Sequence, residues 1–243
     1  MRRRATPKND PIAALRALRV LYGDPDALPK VFEVIESLPG RAPARMLERA
    51  RATADGRALL RDKPDLRALL SDRERLLAMP PGSLGRAYAD FTEREGISAD
   101  GIVQANEAAR RGEVPDVDPD LLWLGDRMRD THDLWHVVTG YGADVVGEVA
   151  LLAFSYAQTR HVGVALVCSL ALVRGLPVSG VARRAFRAGS AAAWLPAVRW
   201  ESLLALPLAD VRAKLRVEPA PAYERVTSAD LRARGAIPAA RAA

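Results

Sequence analysis

Cysteine, lysine, histidine and aromatic residues are all scarce in this 243-residue chain, and each shortage removes a class of protein. A single cysteine, Cys168, can close no internal disulfide and cannot build a cysteine-based zinc module, which predicts a reducing compartment. Long apolar runs are missing as well. The most apolar stretch, Val145 to Val173, is interrupted by Glu148, Arg160 and His161, and its longest clean run, Val162 to Val173, is too short to span a bilayer. The opening MRRRATPKNDP leads into polar residues instead of an apolar core, which predicts a loose tail and no secretory signal. Alternating β-branched patterns are hard to find, no Walker sequence occurs, and Gly140-Tyr141-Gly142 follows a helical pattern instead of a strand, so nucleotide binding has no support.

Charge is plentiful but uneven. The formal charge is +6, and the 36 basic residues include only four lysines, at positions 8, 30, 63 and 214. An arginine-for-lysine skew in a chain crowded with alanine fits the codon bias of a GC-rich genome. The clusters Arg2 to Arg4, Arg110-Arg111 and Arg183-Arg184-Arg187 are short and scattered, with few aromatics beside them, so no nucleic acid partner is predicted. A solvated surface, or attraction to anionic lipid headgroups, accounts for them.

Apolar residues recur at helical spacing almost throughout, which predicts an all-α, single-domain multi-helix bundle. Asn9-Asp10-Pro11 caps a first helix with the stripe Ile12, Leu15, Leu18, Leu21 and Tyr22, and Leu28, Val31, Phe32, Ile35 and Leu38 repeat the pattern up to Pro39-Gly40. Ser83, after Pro80-Pro81-Gly82, is placed to cap a helix carrying Leu84, Tyr88 and Phe91. Glu113 to Asp120 reads as an exposed connection. Leu121 to Val138 reads as one long helix, broken by Gly140 and Gly142, and a second starts near Asp144 and runs to Arg160 or, as the longer alternative, through Val173 with a bend at Gly163. Residues 1–9 and 218–243 are expected to be loose tails.

Two of the three histidines fall in His132-Asp133-Leu134-Trp135-His136. On a helix they lie about 40° apart and one turn from each other, so both imidazoles leave the same patch, with Asp133 about 100° away as a third ligand or as an acceptor for a histidine N–H. Glu148 follows His136 by twelve residues. An unbroken helix would hold them about 18 Å apart, but a reversal at Gly140 and Gly142 folds a helical hairpin that brings Glu148 to the histidines. Two histidines with one or two carboxylates suit zinc, and suit Fe(II) if positions stay open. Hydrogen-bonded histidines at this spacing need no metal at all.

His132-Asp133-x-x-His136, eleven residues, then Glu148 resembles the HDxxH-x11-E signature of the COQ4 family of ubiquinone (coenzyme Q) biosynthesis proteins. Pro81-Gly82-Ser83-Leu84-Gly85 with Tyr88 and Phe91, the pair Arg127 and Arg129, Gly147-Glu148, and Trp200-Glu201 with Arg212 and Leu215 carry the likeness over residues 10 to 217. Met128, Ser83 and Ser155 stand where the family usually has Tyr, Thr and an acidic residue. The resemblance implies an all-helical protein with a divalent metal, usually zinc, held by His132, Asp133, His136 and Glu148. It implies a cytoplasmic protein peripheral on the inner membrane, acting with other coenzyme Q enzymes and as a homo-oligomer. The reaction implied is C1 (oxidative) decarboxylation of a polyprenylated hydroxybenzoate, with an isoprenoid-binding scaffold as the alternative. Leu151, Leu152 and Ser155 share a helical face with Glu148 and offer a wall for a lipid tail. Asp133 is the acid/base candidate, and Arg129 is placed to pair with the substrate carboxylate. An HD-type phosphohydrolase is the enzyme rival, weakened by the lack of any histidine before His132. A zinc peptidase would need Glu at position 133.

Overall fold

The structure, a computed structural model, describes residues 9–98, 101, 104, 105, 107, 117–173, 176 and 178–238. Its helices are α1 (Pro11–Gly23), α2 (Leu28–Ser37), α3 (Ala42–Ala52), α4 (Ala54–Asp62), α5 (Leu66–Ser71), α6 (Arg73–Leu77), α7 (Leu84–Glu95), α8 (Pro119–Asp130), α9 (His132–Thr139), α10 (Val145–Thr159), α11 (Val162–Val173), α12 (Ser179–Ala191), α13 (Leu208–Leu215) and α14 (Ser228–Ala233). Two short 3-10 turns, Leu195–Ala197 and Trp200–Ser202, separate α12 from α13. No strand occurs among the described residues, so the fold is all-α as the periodicity predicts.

The predicted caps are in place. Asp10 accepts from the N–H groups of Ile12 and Ala13, with Pro11 at the first helical position, and Ser83 accepts from Arg86 N–H. The core centres on α9 and α10. Every residue of α9 from Asp133 to Thr139 is buried, and Trp135 packs edge-on to Phe154 with ring centroids 6.0 Å apart. On α12, Gly189 lets that helix press onto α10, since a Cβ there would lie 2.6 Å from the Phe154 carbonyl oxygen. Arg127, buried on α8, grips Glu201 with two bonds of 2.8 and 3.0 Å, so two residues of the family pattern are each other's partners. A smaller apolar cluster joins α1, α2 and α11 through Ala17, Leu21 and Val34.

Several expectations change. Leu121–Val138 is two helices that meet at Thr131, a turn residue with ψ −5 whose hydroxyl donates to the Met128 carbonyl. The second long helix takes the shorter of its two expected ends, at Arg160, whose φ of 55 is left-handed, and α11 is a separate helix instead of its continuation. Gly163 marks no bend. It admits the backbone of α2, as a Cβ there would sit 2.6 Å from Ile35 Cα. On α1 the small residues Ala14 and Ala17 face inward with Leu21, so Ile12, Leu15 and Tyr22 face solvent. The C-terminal residues 218–238 are not loose: Val226, Leu231 and Ile237 are buried. Residues 1–8 and 239–243, and 113–116 of the expected connection, lie outside the described residues.

His161, at the α10–α11 junction, is buried, and burial pushes its imidazole down from 6.5 to about 4. Between those values the unfolded chain binds the proton and the folded chain does not, so stability falls as pH drops from 6.5 toward 4. The contribution lost is on the order of 3 kcal/mol. Comparing chemical denaturation of wild type and His161→Leu across that window tests this. The variant should lose less stability on acidification, and parallel curves contradict the assignment.

Candidate metal centre

The site is built at the reversal between α9 and α10. Gly140, with φ 78, ends α9 and its N–H bonds to the His136 carbonyl. Asp144 then caps α10 by accepting from Val146 and Gly147 N–H. Glu148 therefore falls in the first turn of α10, opposite the histidine face of α9. The glycine before it is required. A Cβ at Gly147 would lie 2.1 Å from the Gly142 carbonyl oxygen, so any side chain there would force the turn open.

The reversal brings together His132, His136 and Glu148, whose ligand atoms all lie within 4.8 Å of one another. Glu148 Oε1 is 3.2 Å from His136 Nε2, and Oε2 is 3.6 Å from His132 Nε2. Tetrahedral zinc with bonds of about 2.0–2.1 Å places neighbouring ligand atoms about 3.3 Å apart. The donor set thus fits such an ion. The outer nitrogens are also engaged: Nδ1 of His136 is 3.0 Å from the Tyr141 carbonyl oxygen, and Nδ1 of His132 is 3.1 Å from Asp133 Oδ1. A carbonyl can only accept, so the proton of neutral His136 resides on Nδ1 and the Nε2 lone pair faces the glutamate. In this neutral form the buried Nε2 faces only another acceptor and is left without a hydrogen bond, the orphaned lone pair a cation would satisfy. Phe91 stacks on His136 at 5.4 Å and fixes the ring plane.

Burial alone would raise the Glu148 carboxyl, but with no ion bound the charge and hydrogen bond of a protonated His136, together with the charge of His132, outweigh it and hold it at about 2. Burial would likewise lower His132, and the Asp133 carboxylate together with Glu148 holds that imidazole above its ordinary value. Asp133 is therefore placed behind His132 as its hydrogen-bond acceptor and is not among the three converging ligand atoms. His161 is likewise outside that group.

A cavity of about 810 Å³ reaches His132 and Glu148, while the buried His136 lies outside its lining. His132, Asp133 and Glu148 line it together with further polar residues such as Glu95, Asp144 and Arg225, and Leu21, Phe32, Ile35, Val149, Leu152 and Leu170 are among its apolar walls. Of the three residues predicted to hold a lipid, Leu152 lines the cavity, Leu151 is in the core, and Ser155 does not line it. Arg129 is not in the cavity either. It pairs with Asp126 at 3.0 Å and Asp130 at 2.7 Å. Periodicity could not find Phe32, Ile35 or Leu170, because they reach the cavity from helices whose placement beside α10 is a tertiary fact. The Tyr141 carbonyl carries no side-chain signal.

Metal content by mass spectrometry and competition with a chromophoric chelator test the centre. Wild type should bind one zinc ion, His136→Ala should bind none stoichiometrically, and Asp133→Asn should bind about 10–100-fold more weakly. Affinity should fall on acidification, beginning above the ordinary imidazole range because protonation of His132 competes with the ion. Unchanged affinity in His136→Ala refutes the assignment.

Residues 24–221 match the family model described as "Coenzyme Q (ubiquinone) biosynthesis protein Coq4". Among the relatives is the mitochondrial ubiquinone biosynthesis protein COQ4 of Arthroderma otae, 32% identical over 176 residues, covering 68% of this chain and 61% of that protein. The protein of the same name from Paracoccidioides brasiliensis is 30% identical over 201 residues, covering 76% of this chain and 64% of that one. The chain thus spans somewhat under two thirds of the length of these relatives. In fold it is similar to a crystal structure from Nostoc punctiforme whose protein is provisionally named for ubiquinone biosynthesis, with a TM-score of 0.63, 22% identity, and coverage of 85% of this chain and 98% of that one. With the family model matched over most of its length and the HDxxH and glutamate residues gathered at one hairpin, the chain belongs to the Coq4 family of coenzyme Q (ubiquinone) biosynthesis proteins.

Proposed function

We propose that the chain acts in ubiquinone biosynthesis by binding a polyprenylated hydroxybenzoate and promoting loss of its C1 carboxylate. The observation that carries this reading is that two of the three triad residues, His132 and Glu148, open on a mostly apolar cavity. Three protein ligands leave a coordination position for substrate, as catalytic sites require and closed structural sites do not. When bound, a divalent ion such as zinc or Fe(II) supplies a Lewis acid toward the aryl carboxylate or ring oxygen.

The chain's own residues do the rest. His132, His136 and Glu148 would hold the ion, and Asp133 keeps the His132 Nε2 lone pair aimed inward by accepting a hydrogen bond from Nδ1–H. The apolar walls exclude water and hold the prenyl chain, which orients the ring toward the triad. As C1 loses carbon dioxide, the bonding electron pair stays on the ring, and Asp133 is the cavity carboxyl nearest the triad for moving a proton to C1. An oxidative outcome, with hydroxyl replacing carboxylate, needs an external electron acceptor.

The cavity walls supplied by α1, α2 and α11 also explain the outer surface. Ile12, Leu15, Val20, Tyr22, Leu28, Val162, Leu172 and Val173 are exposed large apolar residues, all on these three helices, and Arg16 and Arg19 are exposed on α1. A lipid-soluble substrate resides in a bilayer, and this face suits contact with an anionic one. Among the described residues no helix is long and apolar enough to cross a membrane.

Two measurements follow. Metal-loaded protein incubated with a prenylated 4-hydroxybenzoate should release carbon dioxide, and His136→Ala should not. Binding of the compound with no product from the metal-loaded protein removes the enzymatic reading and leaves the scaffold. The double variant Ile12→Ser/Leu15→Ser should sediment less with anionic liposomes at unchanged helix content, and equal sedimentation removes this face from membrane contact.

A further inference from the structure

We infer that Tyr223 and Arg225, in the segment leading into α14, are positioning residues for the metal centre. The inference rests on the metal reading above and concerns how the ligands are held.

The turn 140–144 sets the separation of His136 from Glu148, and it carries the Tyr141 carbonyl that orients His136. With Gly140 and Gly142 in it, this turn has more backbone freedom than side-chain-bearing residues at those two positions would give. Something outside the hairpin must remove that freedom. Segment 220–227 does so along the whole turn. Ala220 N–H donates to the Thr139 carbonyl at 2.6 Å, and Val145 N–H to the Val226 carbonyl at 2.8 Å, so the strap is pinned at both ends of the reversal.

Between those points the side chains converge on Asp144, whose carboxylate is almost wholly buried. Oδ1 accepts from Val146, Gly147 and Val226 N–H, each at 3.2 Å. Oδ2 accepts from Tyr223 O–H at 2.8 Å and from Arg225 Nε at 3.2 Å. The Tyr223 oxygen in turn accepts from Gly142 N–H at 2.9 Å. One hydroxyl therefore bridges the turn's second glycine to the cap of α10. Arg225 extends the clamp to α7, donating to Glu95 at 2.9 Å, one turn beyond the Phe91 ring that stacks on His136. A buried carboxylate with five donors tolerates little displacement, because each lost donor leaves charge unpaired.

Tyr223→Phe keeps the ring and its packing and deletes both hydroxyl bonds. Two measurements read it. Zinc affinity by chelator competition should fall about tenfold or more, the range for outer partners of metal ligands, at unchanged helix content. In metal-free protein, 15N NMR of the histidines should show the protected Nδ1–H form of His136 in wild type and faster exchange or mixed tautomers in the variant. Wild-type zinc affinity together with an unshifted His136 signal overturns the inference, whatever happens to the melting temperature, since a purely structural role would move only the latter. If wild type binds no zinc, the metal reading fails while the NMR comparison still decides the positioning. Should Tyr223→Phe fail to fold, Arg225→Gln, at a half-exposed side chain, should produce the same pair of changes, and Arg225→Lys should restore them in part.

Discussion

Everything chemical in this molecule depends on one chain reversal, between His136 and Glu148. Along a continuous helix these residues would be about 18 Å apart. In the structure their side chains meet at 3.2 Å. Gly140 supplies the left-handed residue that ends α9, Gly147 supplies the space for the turn to lie against α10, and Asp144 restarts the helix. The hairpin is itself the centre of the core, so the same packing that buries Trp135 and Phe154 fixes the ligands.

Placing a carboxylate and two imidazoles at the edge of such a core, with His136 fully buried and His132 and Glu148 half-buried on the cavity, has a desolvation cost that the arrangement offsets locally. Asp133 and the Tyr141 carbonyl take the outer histidine nitrogens, and Glu148 faces the inner ones. What remains is a set of inward lone pairs that a divalent cation would satisfy. The cavity that His132 and Glu148 open on has mostly apolar walls, so a Lewis-acid position would adjoin a place for a long apolar tail. That combination suits an amphiphile with a reactive aromatic head better than a small polar metabolite.

The triad was legible in the sequence because its information is local: four-residue spacing, a glycine break and a returning glutamate. Caps such as Asp10 and Ser83 were legible for the same reason. What periodicity cannot tell is which side of an amphipathic helix meets a neighbour. Hence α1 presents Ile12 and Leu15 outward while its alanines pack, and Leu151 belongs to the core while Leu152 lines the cavity. Arg129 illustrates a second limit, since helical angle placed it near the histidines but Asp126 and Asp130 on the same helix engage it. The C-terminal segment illustrates a third. Its proline- and alanine-rich composition suggests slack chain, yet it is held by bonds to residues some 80 positions earlier, such as Tyr223 to Asp144.

X-ray absorption at the zinc edge of reconstituted protein tests the central claim most directly. The account predicts a coordination sphere with two imidazole nitrogens at about 2.0–2.1 Å and a carboxylate oxygen at about 2.0–2.2 Å, with one nitrogen lost in His136→Ala. A sphere of oxygens alone, or one unchanged by that substitution, would contradict it.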